Sequence, residues 1–326
     1  MAMRVVLVGL VFVVLGVVVS PAAATFPGRN GLLAFYAYVL NEESTDIDFE
    51  DDFIGLARIP GGPRQIFARG TGPAFAPNGD RLAYAGTDPG PGRGIWLTRA
   101  DCRWPKNRPF PQPCSRLRRL TRGYDFSPAW LPNGKRVAFV RGYDDERIYS
   151  VRADGGGLRF LVRGTAPDWS SKGALAFVAR GKLRVREPGG RVRTLPVRGG
   201  QPSWAPGGDR LAFIALDEDS KRADPGSERK ALFTIRADGT GLKKLWAGTR
   251  EDQDSPYGGF SSPTWSPDGR WIAFIKDDGL IIYTESVFAI RPSGGPPRLV
   301  MRPITNCLPC SYAPQWGSLS WQARRP

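Results

Sequence analysis

SSPTWSPDGRWIAFIKD, residues 261–277, decides how this chain is read. It runs Pro, one small residue, an aromatic, a Gly-containing turn, then a short apolar segment. The same order returns in TGPAFAPNGDRLAYAG (71–86), FSPAWLPNGKRVAFVRG (126–142), APDWSSKGALAFVARG (166–181) and GQPSWAPGGDRLAFIA (200–215). A motif that recurs every few tens of residues marks a repeat architecture. These repeats occupy most of the chain, leaving little sequence for a separate catalytic domain.

Each repeat reads as four antiparallel strands. The first ends at the aromatic, at Phe75, Trp130, Trp169, Trp204 or Trp265. Asn-Gly, Gly-Gly or Asp-Gly then supplies the positive φ of a tight hairpin turn. RLAYAG, RVAFVRG, ALAFVAR, RLAFIAL and WIAFIKD form the second strands. Third strands (GIWLTR, RIYSVR, KLRVRE, ALFTIR, SVFAIR) follow, then another Gly-rich turn and a fourth strand. β-Branched and aromatic residues dominate with no helical period. Four-stranded sheets repeated radially make a β-propeller. The fold expected is all-β, a six-bladed β-propeller of four-stranded antiparallel blades. FPGRNGLLAFYAY (26–38), FIGLARI (53–59) and PRQIFAR (63–69) supply a first blade without its inner strand. SLSWQARRP (318–326) supplies a spare inner strand with Trp321 in the aromatic place, so the C-terminal strand is expected to close the ring.

Residues Trp265 to Arg270, WSPDGR, followed by Ile272-Ala273-Phe274, resemble the WD-repeat-like propeller repeat of the TolB family. The resemblance covers about residues 26–326. It implies a propeller; TolB itself adds an α/β domain and serves a cell-envelope assembly. Here the repeats begin almost at the expected mature N-terminus, so a single propeller over residues 25–326 is expected. Prolyl-oligopeptidase-type enzymes carry similar repeats before a hydrolase domain, which is not expected here.

Residues 1–24 read as a secretory signal peptide: a basic start, an apolar run from Val5 to Val19, and SPAAA before cleavage after Ala24. A secreted or cell-envelope location, periplasmic for example, is expected, with no stable membrane insertion after cleavage. In that compartment the four Cys should form local disulfides, Cys102–Cys114 and Cys307–Cys310. The chain has no His, which excludes His-dependent catalysis and His-ligated metals.

Net charge is +15, from 46 Lys and Arg against 31 Asp and Glu. No nucleic-acid recognition signature accompanies it. The acids gather in segments that a meander sends to one face, between second and third strands and between blades. These are Asn41–Asp52, Asp144–Glu146, Asp217–Glu228, Glu251–Asp254 and Asp277–Asp278, which hold 20 of the 31 acids. Loops on a rigid scaffold are where binding usually resides. Candidate ligand-binding residues are therefore Glu42, Glu43, Asp46, Asp48, Asp144, Asp217, Asp219, Asp252, Asp254, Tyr257 and Asp277. Ca²⁺ would suit clustered carboxylates, but no Ca²⁺-loop motif is present and no cofactor is expected.

Two functions compete. The first is a monomeric, non-catalytic propeller that binds a protein or a cell-envelope glycan. The second is a carboxylate-dependent, glycosidase-type enzyme with acids at the channel mouth. Asp168 is its first suspect, because it is the one acid at the small inner-strand position.

Overall fold

The structure is a computed structural model that describes residues 26–39, 51–59, 64–87, 92–100, 117–142, 146–219, 229–248, 259–277, 285–301, 312–313 and 319–324. Among them, 25 strands form six antiparallel sheets. Blade one holds β1 (Arg29–Val39), β2 (Asp51–Arg58) and β3 (Arg64–Arg69). Blade two is β4 (Thr71–Phe75), β5 (Arg81–Gly86), β6 (Gly94–Arg99) and β7 (Arg118–Arg119). Blade three is β8 (Asp125–Trp130), β9 (Arg136–Arg141), β10 (Arg147–Arg152) and β11 (Arg159–Arg163). Blade four is β12 (Thr165–Trp169), β13 (Leu175–Ala179), β14 (Lys182–Arg186) and β15 (Val192–Arg198). Blade five is β16 (Gly200–Trp204), β17 (Arg210–Leu216), β18 (Lys230–Arg236) and β19 (Lys243–Trp246). Blade six is β20 (Gly259–Trp265), β21 (Ile272–Asp277), β22 (Glu285–Ile290) and β23 (Arg298–Met301). β24 (Tyr312–Ala313) and β25 (Ser320–Arg324) return to blade one. The inner strands of blades two to six end at the aromatics the repeat marks.

The core lies between blades. Each of six apolar clusters joins one blade to the next, with an inner-strand aromatic among its members. Trp130 packs with Ala83 and Leu97 of blade two and Phe139 of blade three. Trp204 packs with Val185 and Leu195 of blade four and Leu211 of blade five. The second-strand aromatics Tyr84, Phe139, Phe177, Phe213 and Phe274 are fully buried. Phe213 and Phe274 stack on the third-strand rings of Phe233 and Phe288, with centroids 5.7 and 6.2 Å apart. Such offset pairs add to what burial alone contributes.

The C-terminal strand closes the ring on blade one, as expected, with one addition. β25 pairs antiparallel with β1, setting Trp321 opposite Leu33 and Ser320 opposite Ala34. Trp321 then packs with Ala273, Ile275 and Val287, tying blade six to blade one. The addition is β24, which pairs Ala313 with Tyr38 and Tyr312 with Val39. The inner edge of β1 is thus shared by two C-terminal segments. Gln322 completes the junction: its Nε2 donates to Gly79 O at 2.7 Å and its Oε1 accepts from Leu32 N at 3.0 Å. Gly79 has a φ of +71°, and a Cβ there would collide with Ala323 O, so the turn needs Gly on both counts.

Gln322→Ala should cost about 1–3 kcal/mol, because it leaves Leu32 N–H and Gly79 C=O without these partners. Urea unfolding would measure it. Deleting residues 318–326 strips Trp321 from its cluster as well and should depress the melting temperature further.

Candidate functional site

The inner strands run side by side and in register around the axis. Trp204 N donates to Asp168 Oδ2 at 2.7 Å, Trp265 N to Ser203 Oγ at 3.3 Å, and Phe75 N to Ser320 Oγ at 2.9 Å. In each pair an aromatic amide on one blade meets the small inner-strand residue of the blade before it. Trp130 and Trp204 also donate their Nε1–H to the backbone oxygens of Ala74 and Asp168. The six strands enclose a central cavity of about 190 Å³. Its polar lining comes from Ser127, Asp168, Gln201, Ser203, Ser262, Thr264 and Ser320. Phe26 and Pro267 lie at the turn end, where Gly28 N donates to Pro267 O at 3.2 Å.

A backbone distortion recurs in five inner strands. The residue before the Pro has positive φ: Gly72 at 59°, Ser127 at 49°, Ala166 at 47°, Gln201 at 53° and Ser262 at 53°. At each of these places the register slips by one residue against the second strand. These are β-bulges, which bend and twist the strand near the axis. Four of the five carry a side chain where Gly is easier, at about 1–3 kcal/mol apiece. Gln201 offsets part of this by accepting Ser262 N at 2.7 Å. In blade one the bulge moves to β1, between Asn30 and Leu33. The sequence carried a signal for this in its repeated x-Pro-small-aromatic order. The handedness of x was not legible, since the residue before a Pro normally takes an extended conformation.

Asp168 is the one ionisable side chain in the cavity lining among the described residues. Part of it faces the cavity and protein atoms enclose the rest. Burial pushes its carboxyl up to about 7, opposed by the backbone N–H groups of Trp204 and Trp169.

The other candidate site sits at the opposite end of the strands from the tight turns. There Val39 pairs with Asp51, Arg141 with Arg147, Leu216 with Lys230, and Asp277 with Glu285. Glu42, Glu43, Asp46, Asp48, Asp144, Asp252, Asp254 and Tyr257 lie outside the described residues, as do Cys102, Cys114, Cys307, Cys310 and the signal segment. Asp277 ends β21, and Asp51 and Asp52 begin β2. Asp217 and Asp219 come together on one cation: Lys244 Nζ lies 2.9 Å from Asp217 Oδ1 and 2.6 Å from Asp219 Oδ2. The hydrogen bonds it donates to Asp219 and then Asp217 hold that ammonium above its ordinary value. Asp125, absent from the sequence candidates, is buried at this end and receives Arg141 through two bonds of 2.6 and 2.7 Å. Among the described residues no three acidic or Cys side chains converge as metal ligands, and no helix is long and apolar enough to cross a membrane.

TolB from Acinetobacter baumannii superposes with a TM-score of 0.61 at 15% identity, over 90% of this chain and 67% of that one. A candidate TolB from Agrobacterium tumefaciens superposes with a TM-score of 0.57 at 12% identity, over 90% and 98%. The fold is that of the TolB-like β-propellers. No family model matches the sequence. A probable dipeptidyl-aminopeptidase B from Grosmannia clavigera (strain kw1407 / UAMH 11150) is 31% identical over 108 residues. That match spans 29% of this chain and 11% of the fungal protein.

The raised Asp168 carboxyl sets a pH dependence for this TolB-like ring. Between about pH 4 and about pH 7 the folded protein keeps a proton that the unfolded chain releases. Relative to Asp168→Asn, the wild type should therefore lose stability as pH rises through that window and level off above it. Chemical denaturation of both proteins across the range checks this.

Proposed function

We propose that this protein is an exported, non-catalytic binding module that presents its long-loop face to a basic protein partner. The observation that carries the reading is the parallel, in-register packing of the inner strands, which sends equivalent connections of every blade to the same end. The strand ends at that face flank the acidic segments Asn41–Asp52, Asp217–Glu228 and Glu251–Asp254. Gathered carboxylates repel one another and favour a cationic partner, a place that Lys244 already takes beside Asp217 and Asp219. In a chain of net charge +15 this face then carries the opposite sign from the molecule as a whole, which steers encounter and orientation. An envelope location accords with the signal-like N-terminus and with the TolB-like fold, and a basic segment of a glycan-associated protein would satisfy the same chemistry.

The carboxylate-enzyme alternative has less support. A glycosidase needs two carboxyl groups about 5–9.5 Å apart, and the cavity lining among the described residues offers Asp168 alone. The peptidase relative matches over a minor part of either protein, too little to carry its activity to this chain.

The test is a pull-down from envelope extract followed by affinity measurement on the purified partner. Changing Glu42, Glu43 and Glu50 to Gln and Asp46 and Asp48 to Asn should weaken binding about tenfold or more, with a circular dichroism spectrum like wild type. Asp51 and Asp52 stay untouched because they belong to β2. Full affinity in that variant, with loss on replacing Arg116–Arg122, would move the site to the basic periphery.

A further inference from the structure

The six equivalent inner-strand positions facing the axis are Ala74, Ala129, Asp168, Ser203, Thr264 and Ser320. Ser203 and Ser320 show what the ring asks of such a residue: a hydroxyl oxygen accepts the aromatic amide of the next blade. Two positions hold Ala and have no side-chain acceptor at all. Asp168 makes the same bond, to Trp204 N, but with a charged group in place of a hydroxyl. Burying a carboxylate is costly where a neutral oxygen would serve. The charge therefore exceeds what the fold requires.

Its surroundings suit a compact cation. The cavity of about 190 Å³ has room for about six waters or a small organic molecule. An ionised carboxylate offers about four acceptor positions, and the Trp204 and Trp169 amides take two. Other side-chain oxygens lining the cavity come from Ser127, Ser203, Ser262, Thr264 and Ser320. Among the described residues no Lys or Arg lines the cavity to neutralise Asp168. The strands packed against β12 are β8, β9, β10, β13 and β16. Their titratable or charged side chains are Asp125, Arg136, Arg141, Arg147, Tyr149 and Arg152, none of which lines the cavity. A divalent metal wants several hard oxygen ligands, usually more than one carboxylate; one carboxylate among hydroxyls better matches a singly charged hydrogen-bond donor.

We propose that the central channel binds a small ligand through a primary ammonium group held by the Asp168 carboxylate and the surrounding inner-strand hydroxyls. This site is separate from the long-loop face and stands whether or not that face binds a protein. Because Asp168 titrates near 7, ammonium binding should strengthen from mildly acidic to mildly alkaline conditions.

Full-length exported protein would be titrated with n-butylammonium chloride, and in parallel with n-butanol, by calorimetry and ligand-observed NMR. The expected result is saturable n-butylammonium binding at about pH 8, at least about tenfold weaker at about pH 5.5, where Asp168 is mostly protonated. n-Butanol should bind at least about tenfold more weakly at both. Asp168→Asn and Asp168→Ser should each remove the preference for the cation. Asp168→Ser, which keeps an oxygen in the place where Ser203 and Ser320 act, should melt no lower than wild type at about pH 8. No butylammonium binding by the wild type, equal binding of the alcohol, or undiminished cation binding in Asp168→Asn would overturn the proposal. A melting temperature well below wild type in Asp168→Ser would also overturn it, by assigning the carboxylate to the fold.

Discussion

The contact between an inner-strand aromatic and the neighbouring blade organises this molecule. A single four-stranded sheet has two faces to cover and no core of its own. Trp130, Trp204, Trp265 and Phe75 resolve this by sitting at blade junctions, each almost wholly buried. Truncating a buried aromatic of this size costs about 3–5 kcal/mol, and the arrangement repeats around the ring. Since each blade depends on two neighbours, an open ring would leave one blade face bare. That makes the C-terminal return of Trp321 onto β1 a requirement for the whole assembly.

Placing the core between blades leaves the axis for small side chains and backbone. The channel is polar because the inner strands, bent by their bulges, use side-chain oxygens to take up the aromatic amides of the next blade. Ser203 and Ser320 do so without charge. Asp168 does so at the cost of a desolvated carboxylate, and a titration near neutrality results. One acid in a repeating pattern of Ala, Ser and Thr thus gives the channel a place with distinct chemistry.

The outer rim has the opposite character. The fourth strands carry Arg159 and Arg163 on β11, Arg193 and Arg198 on β15, Lys243 and Lys244 on β19, and Arg298 on β23. They also expose Phe160 and Leu299. Outer strands of a propeller remain true sheet edges, and charged long side chains along such edges discourage pairing with other chains. Much of the excess positive charge can therefore be understood as edge protection. Lys244 departs from this role by turning to Asp217 and Asp219.

The repeated Pro-small-aromatic-turn-apolar order was enough to read the blade count, the strand order, the strand ends at Phe75, Trp130, Trp169, Trp204 and Trp265, and the closing strand around Trp321. These are local patterns of turn chemistry and alternation, and each repeat confirms the next. Asp168 was also visible as the odd member of the small series. Three things needed the tertiary structure. The left-handed backbone at Ser127, Ala166, Gln201 and Ser262 arises where six strands crowd one axis. The capture of Lys244 by Asp217 and Asp219 joins a β19 side chain to the segment that follows β17, whose charges, read along the chain, pointed to an open acidic loop. The raised carboxyl of Asp168 comes from burial between its own blade and the two blades beside it, a desolvation that no stretch of sequence around it encodes.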